Sequence, residues 1–148
     1  MGKLVGVMRI LQLDVDKIEY TPIEPEIKTY DDAEKKTVSI ENALVLLVSI
    51  ERGDDESIAS KAISDAADFS KKLKRNKIVI YPFAHLSSEL EGLGRARELI
   101  HVMKGSADTL FEEAYAAPFG WNKKLSLDIK GHPLAEMSRS YSNKEKEG

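Results

Sequence analysis

Apolar positions along the chain follow two different periodicities, which predict a mixture of strands and helices. Residues 7–13 and 17–23 alternate apolar and polar side chains around a short DVD connection, and this pattern predicts a β-hairpin. Residues 24–41 carry charges and proline without any periodicity, which predicts a surface excursion. The nearly continuous apolar run ALVLLVSI at 43–50 is typical of a strand covered on both faces.

A helical period begins after the segment ERGDD. Apolar residues then recur at spacings of three and four, namely at Ile58, Ala62, Ile63, Ala66, Phe69 and Leu73. Asp54 or Asp55 is placed to cap the free N–H groups at the start of this helix. The pattern therefore predicts a helix from about 55 to 74.

The segment KIVIYPF at 77–83 predicts a second central strand, since its proline stands at the end, where a ladder N–H is no longer needed. Strand, helix and strand together form a βαβ unit. We expect a right-handed crossover that sets the strands at 43–50 and 77–81 parallel in one sheet. The second strand would then open at its carboxyl end onto the polar stretch YPFAHLSSEL.

The second half of the chain predicts one more helix and two short strands. A stripe of apolar residues at helical spacing predicts a helix from about 94 to 113. Strands are expected at 114–119 and 124–130, joined by a hairpin turn at GWNK. Residues 131–140 then lead to a charged tail at 141–148, expected to be a linker or disordered. We therefore predict a single α/β domain at residues 1–140, with a mixed β-sheet and two main helices.

Composition limits the possible functions. The 148 residues, 42% of them hydrophobic, fit one compact core, and the net charge of −3 offers no general basic face for nucleic acid. Any contact with nucleic acid is therefore expected to be local. The chain has no apolar stretch long enough to cross a bilayer and no signal pattern, so we expect a cytoplasmic protein without membrane contact. With no cysteine and three scattered histidines, no metal site or cofactor is expected.

Three polar clusters stand at the ends of predicted strands, at 81–90, 118–124 and 130–136. They bring a histidine, a lysine and a glutamate, which together with freed backbone N–H groups could recognise a small ligand that bears an amine and a carbonyl. The Gly-rich phosphate loop, the GxSxG elbow and the His-x-Glu metal motif are absent from the sequence.

Each candidate residue also has a structural interpretation. His85 could be a hydrogen-bonded surface histidine, and Lys123 a solvated lysine in a turn. Glu136 could be a carboxylate in the first turn of a helix. Trp121 could cover the edge of the sheet, and His101, beside the apolar stripe of the second helix, is expected to be structural.

Five segments resemble, in order and approximate spacing, the N-terminal editing domain of archaeal threonyl-tRNA synthetases. They are VMRILQLDVDKIEY, ENALVLLVSIE, IVIYPFAHLSSEL, APFGWNK and KGHPLAEMSRS. The resemblance runs from Met8 to about Ser140 and implies a fold similar to that of D-aminoacyl-tRNA deacylases, usually dimeric. The activity it implies is hydrolysis of serine wrongly attached to threonine tRNA.

The resemblance also assigns residues. It puts the seryl group near Pro82, Ala84 and His85, with the backbone of the first two holding substrate or water. Lys123 matches the family lysine and is expected, with His85, to be catalytic, while Glu136 resembles a ligand for the amino or hydroxyl group of the substrate. Further substrate-binding positions are expected in the same segments, where they shape the pocket or the adenosine seat, at Ile50, Ala96, Phe119, Gly120, Trp121 and His132.

This chain departs from the family pattern at two points. Relatives commonly carry two aromatic residues before the lysine, whereas this chain has Trp121 and Asn122, so that Asn122 must supply an amide or leave that contact unmade. Asp14 stands where relatives tend to have histidine. Neither Asn122 nor Asp14 is assigned a catalytic role.

The implied mechanism uses the substrate itself. An ordinary lysine is cationic at neutral pH, so Lys123 is better suited to hold the water or the oxyanion than to act as a base. The terminal adenosine's 2′-hydroxyl would assist the water. The implied partners are the 3′ end of threonine tRNA, a second copy of the chain, and the rest of a synthetase in cis or in trans. A D-aminoacyl-tRNA deacylase and a non-catalytic tRNA-binding or dimerisation module remain alternatives.

Overall fold

The computed structural model describes residues 7–83 and 92–142 of the chain. These residues form six strands and two helices in the order β1 (Val7–Pro25), β2 (Val38–Ser49), α1 (Glu56–Leu73), β3 (Lys77–Pro82), α2 (Leu93–Leu110), β4 (Glu113–Ala116), β5 (Trp121–Ile129) and β6 (Glu136–Ser142).

All six strands belong to one sheet with the order β4-β3-β2-β1-β5, and β6 pairs with the other half of β1 along the same edge as β5. The pairs β2–β3 and β3–β4 are parallel, whereas β1 runs antiparallel to β2, β5 and β6. The predicted single α/β domain with a mixed sheet and two helices is thereby confirmed.

The predicted βαβ unit is confirmed in β2, α1 and β3. Leu44 lies opposite Ile78 in the parallel pair, and both side chains are fully buried. The side chain of Asp55 caps α1 by accepting a hydrogen bond from the backbone N–H of Ile58 at 2.9 Å. At the other end, Lys74 adopts a left-handed conformation with φ 57° and ends the helix.

The hairpin predicted at the N-terminus is wrong, because residues 7–25 form one continuous strand. The DVD sequence that suggested a turn lies inside that strand, where Asp16 occupies a bulge and the apolar alternation resumes at Ile18. Asp14 is only 1% exposed, and it accepts hydrogen bonds from Arg75 Nε at 2.7 Å and from His132 Nε2 at 2.7 Å. A buried carboxylate is tolerated at this point because distant residues supply its donors.

The hairpin predicted around GWNK is also wrong. Strand β4 pairs with β3 at one edge of the sheet, whereas β5 pairs with β1 on the other side. Residues 117–120 span at most roughly 18 Å between these two strands. In a flat sheet the two strands would stand four strand spacings apart, roughly 19 Å. Since the connection also contains a turn, the sheet has to curl so that its two edges approach each other.

Both helices pack on the same face of the sheet. One apolar cluster contains their buried side chains together with Met8, Leu46 and Ile80 from the strands. A second cluster, on the opposite face, contains no helical residue, yet Val15, Val45 and their neighbours in it are almost fully buried. The curl of the sheet accounts for this burial, because it folds β5 and the end of β3 towards the same interior.

Strand β6 was not predicted. The segment EMSRSYS alternates exposed and half-buried residues, and its polar composition gives a weak strand signal. Glu136, which the sequence allowed as a carboxylate in the first turn of a helix, begins this strand instead. Tyr141 and Ser142 extend β6 beyond the predicted boundary at 140, while 143–148 lie outside the described residues.

We predict that Asp14→Asn lowers the free energy of unfolding by about 2–3 kcal/mol at pH 7, because it removes the charge from a buried carboxylate that accepts hydrogen bonds from Arg75 and His132. Burial raises the pKa of Asp14, but the hydrogen bonds from Arg75 and His132 outweigh it and hold that pKa below its usual range. The stability due to the ionised carboxylate is therefore present above about pH 4 and is lost as the pH falls further.

Urea titrations at pH 7 and pH 3 measure the effect, with Asp16→Asn as the control because its side chain is 55% exposed. An exposed ion pair contributes under about 1 kcal/mol. Equal urea midpoints for the two variants at pH 7 would show that the buried carboxylate does not stabilise β1.

Candidate functional site

A cavity of about 420 Å³ opens at the edge of the sheet, where the carboxyl ends of β2 and β3 lie beside the start of β5. This volume lies in the range of small-molecule sites. Its walls come from the carboxyl ends of β2 and β3, the first half of α2, the turn before β5 and the segment after β1. The lining residues are Glu26, Ile27, Val48, Ile50, Tyr81, Pro82, Phe83, Leu93, Ala96, Ile100, Phe119, Gly120, Trp121, Asn122, Lys123 and Leu125.

The position of the cavity follows from the topology. Strands β2 and β3 are parallel, so that their carboxyl ends reach the same edge of the sheet, where ligands of open α/β sheets tend to bind. Pro82 ends β3 there, and Phe83 N–H donates to the carbonyl of Val48 at 2.7 Å. That hydrogen bond keeps the two strand ends together at the cavity wall.

Lys123 is the one cationic side chain among the lining residues that the structure describes. Its Nζ donates hydrogen bonds to the carbonyl oxygen of Pro118 at 2.9 Å and to that of Trp121 at 3.1 Å. The same Nζ lies 5.0 Å from the centre of the Tyr81 ring. An ammonium group has three N–H donors, so one donor remains for a ligand.

The surroundings of Lys123 change its proton affinity. Burial lowers its pKa to about 8, against the opposing effect of the carboxylates of Glu26 and Asp31. The side chain is therefore mostly cationic at pH 7, although it loses its proton far more easily than an exposed lysine does. Burial also raises the pKa of Tyr81 to about 12, with Tyr20 adding to the effect, so its phenol is neutral at physiological pH.

The structure brings seven of the predicted site residues to this one cavity. They are Ile50, Pro82, Ala96, Phe119, Gly120, Trp121 and Lys123. Trp121 is 8% exposed, and its indole N–H donates to the backbone carbonyl of Asp31 at 2.6 Å. Lys123 is not a solvated turn residue, since it is the third residue of β5.

Glu136 and His132 do not line the cavity. Lys123 pairs with Pro22 on β1 and Glu136 with Leu13, nine residues away along the same strand. Nine residues of extended strand span roughly 30 Å. His132 instead contacts the buried carboxylate of Asp14. The expected convergence of the lysine and the glutamate within one chain is therefore wrong.

Ala84 and His85, which the sequence also placed in the site, lie outside the described residues, since the structure describes 7–83 and 92–142. Their predicted contacts with the seryl group stay predictions.

Three lining residues of chemical interest were not predicted as members of the site. Tyr81 is the first residue of the YPFAH string, and that position at the carboxyl end of β3 was the available signal. Asn122 had been assigned no catalytic role, yet it is among the residues that line the cavity. Glu26 fell in the segment interpreted as a surface excursion, and only the tertiary structure brings it to Lys123.

Within residues 7–83 and 92–142, no three acidic or histidine side chains lie together in a way that could hold a metal ion. Neither helix in the described part of the chain has the length and apolar content that a bilayer crossing requires.

Comparison with known proteins gives close relatives. The threonine–tRNA ligase of Nitrosopumilus maritimus is 44% identical over 133 residues, which cover 89% of this chain and 21% of the ligase. The threonine–tRNA ligase editing subunit of Saccharolobus solfataricus is 39% identical over 135 residues, covering 89% of this chain and 34% of the subunit. The chain thus spans between a fifth and about a third of these two relatives.

A solved structure, the c-Myc DNA Unwinding Element Binding Protein, shares the fold with a TM-score of 0.65 at 9% identity. The match covers 89% of this chain and 97% of that one. At this identity the likeness concerns the fold alone, which is the D-aminoacyl-tRNA deacylase-like fold that the sequence implied.

One protein family matches almost the whole chain, over residues 8–141, and is described as the archaea-specific editing domain of threonyl-tRNA synthetase. Since that match includes β1 to β6, both helices and every described wall of the cavity, this chain belongs to the family of archaeal threonyl-tRNA synthetase editing domains.

Proposed function

We propose that this domain hydrolyses serine mistakenly attached to threonine tRNA. The observation that carries the proposal is the lysine held inside a mostly apolar cavity at the carboxyl ends of β2 and β3, in a chain of the editing family. A lysine with one free N–H and a reduced pKa is suited to an ester whose carbonyl must develop negative charge.

The need for a second site follows from the size of a methyl group. Serine lacks only the methyl of threonine, and one methyl changes binding by about 1 to 3 kcal/mol, which limits how well a synthetic site rejects serine. An editing cavity has to accept serine and exclude threonine. Here the methyl of threonine would clash with the walls near Pro82 and Lys123 or displace the attacking water, whereas serine fits.

In the proposed reaction, a water oxygen attacks the ester carbonyl carbon while the neighbouring 2′-hydroxyl of the terminal adenosine takes up its proton. The Lys123 ammonium donates its free N–H to the water or to the developing oxyanion. The bond between the carbonyl carbon and the ribose oxygen then breaks. The 2′-hydroxyl, having taken the proton of the water, passes its own proton to that leaving oxygen, which yields free serine and uncharged tRNA. No metal or cofactor enters this scheme.

Asn122 and Glu26 are also among the residues that line the cavity. We propose that Asn122 binds the seryl group through its amide, at the position where relatives commonly carry an aromatic residue. Among the described lining residues Glu26 is the one carboxylate, so it offers opposite charge to the protonated amine of the seryl group.

The proposed partner is the 3′ end of aminoacylated threonine tRNA in the cytoplasm. The domain would hold only the terminal nucleotide, for which an aromatic face contributes about 1 to 3 kcal/mol. The rest of a synthetase, in cis or in trans, would carry most of the tRNA affinity. We also propose a homodimer, in which a second copy could bring Glu136 to a cavity that it does not reach within its own chain.

Substrate choice tests the proposal directly. Purified protein incubated with Ser-tRNA and Thr-tRNA side by side should release serine at least about tenfold faster than threonine, as one methyl allows. A D-aminoacyl-tRNA is included as a third substrate. Faster hydrolysis of the D-aminoacyl-tRNA would show that the protein is a D-aminoacyl-tRNA deacylase. Binding of a seryl-adenosine analogue without any hydrolysis would show that it is a non-catalytic binding module.

Lys123→Ala should reduce the rate of Ser-tRNA deacylation by about 100-fold or more, because it removes the donor to the oxyanion. The matched control is Lys124→Ala, which removes the exposed lysine on the opposite face of β5 and should deacylate like the parent. Circular dichroism and thermal melts check that both variants fold. A Lys123→Ala rate equal to the parent's would remove the lysine from the mechanism.

The proposed role of Glu136 across a dimer is testable by mixing variants. Lys123→Ala and Glu136→Ala chains, each impaired alone, should recover part of the activity when they are unfolded and refolded together. Each mixed dimer would contain one site with an intact lysine and the partner chain's intact glutamate. Light scattering gives the oligomeric state, and absence of recovery in proven mixed dimers would exclude the assignment.

A further inference from the structure

Asp31 lies in the connection between β1 and β2, and it ties that connection to two other parts of the molecule. Its Oδ1 accepts hydrogen bonds from Arg97 Nε at 2.7 Å and from His101 Nε2 at 2.9 Å, both on α2. Its Oδ2 accepts one from the backbone N–H of Phe119 at 2.9 Å. Both carboxylate oxygens are therefore occupied by donors from distant elements.

The backbone of Asp31 contacts the same turn. Its N–H donates to the carbonyl of Phe119 at 2.9 Å, and its own carbonyl accepts the indole N–H of Trp121 at 2.6 Å. Between these two residues, Gly120 has φ +83°, and a Cβ at that position would stand 2.6 Å from the carbonyl oxygen of Thr29. The turn at 118–121 thus lies against residues 29–31 with no spare room.

The same turn carries the two carbonyl groups that hold the ammonium of Lys123, those of Pro118 and Trp121. A shift of the turn therefore moves the acceptors of the lysine and, with them, its Nζ. Asp31 is not among the residues that line the cavity, so its influence on the cavity passes through the turn.

We propose that Asp31 is a positioning residue for the deacylation, which fixes the 118–121 turn against α2 so that the ammonium of Lys123 is presented to the ester carbonyl. The inference rests on the proposed function for the reaction that it serves. His101, expected from the sequence to be structural, belongs to this arrangement as one of the donors to Asp31.

Charge supports the same role. Burial raises the pKa of Asp31, but hydrogen bonds from the Phe119 amide, Arg97 and His101 outweigh it and hold that pKa below its usual range. Asp31 is thus an anion at neutral pH. Its charge, together with that of Glu26, raises the pKa of Lys123 and opposes the larger effect of burial.

The other titratable group that faces Lys123 from the described elements packed against it is the phenol of Tyr81, which is neutral because of its raised pKa. Removal of the Asp31 charge therefore leaves Glu26 as the remaining described anion near the lysine, and the pKa of Lys123 should fall further below about 8.

The test compares Asp31→Asn with Asp32→Asn, which removes the same charge from the exposed neighbouring side chain. The ¹³Cε resonance of Lys123, followed by NMR against pH, gives its titration midpoint without any substrate. We expect this midpoint to move down by about half a pH unit or more in Asp31→Asn and to stay in place in Asp32→Asn. In Ser-tRNA deacylation by Asp31→Asn, the loss of rate with rising pH should begin at a lower pH than in the parent, because Lys123 loses its proton earlier. At pH 7 its kcat should be about tenfold below that of the parent.

A second variant distinguishes the effect of the turn's position from the effect of the Asp31 charge. Arg97→Gln, on the partly exposed side of α2, loosens Asp31 but keeps its carboxylate, so it should lower kcat without moving the Lys123 midpoint down. It also covers the case in which Asp31→Asn does not fold.

If both variants fold and both keep the Lys123 titration midpoint and the kcat of the parent, Asp31 has no positioning role. If Asp31→Asn does not fold, a parent-like kcat in Arg97→Gln overturns the role in the same way. Failure of the parent to deacylate Ser-tRNA would instead overturn the proposed function, while the NMR titration would still report whether Asp31 controls the charge of Lys123.

Discussion

The short connection between β4 and β5 is the constraint on which the rest of the structure depends. Four residues, 117–120, join strands that belong to opposite sides of the sheet, and a flat sheet would put those strands out of reach of each other. The sheet therefore curls. Its curl buries a second apolar cluster without the help of a helix, and it brings the start of β5 beside the end of β3. The cavity lies where these segments meet.

A lysine inside such a cavity reflects a balance of opposing effects. Loss of water disfavours its charge, whereas two carbonyl groups, the face of Tyr81 and the nearby carboxylates favour it. The result is an ammonium that remains mostly protonated at neutral pH with one donor unused. Such a group fits the stabilisation of an oxyanion better than the removal of a proton from water, which agrees with a mechanism that uses the hydroxyl of the substrate as the proton acceptor.

Much of the fold could be predicted from local patterns. The continuous apolar run of β2, the helical spacing in α1 and the proline at the end of β3 gave the βαβ unit. The family resemblance gave seven of the sixteen described residues that line the cavity. The errors share one cause. The DVD and GWNK segments have the composition of turns, but the residues that pair with them lie elsewhere in the chain. Those partners keep DVD inside β1 and place GWNK at the start of β5, on the far side of the sheet from β4. Glu136 was assigned to the cavity by its string, although the pairing of β6 puts it on another part of β1.

The sequence by itself determined β2, the two helices, β3, the fold class and the family, because periodicity and short motifs depend on residues that are neighbours in the chain. Only the tertiary structure decided which polar groups meet. Asp14 and Arg75 are separated by 61 residues, and Asp31 and Phe119 by 88. Such contacts leave no local pattern, since their geometry depends on strand register and on the curl of the whole sheet. For that reason the lysine could be named from its motif, whereas the carboxylate that positions its turn could not.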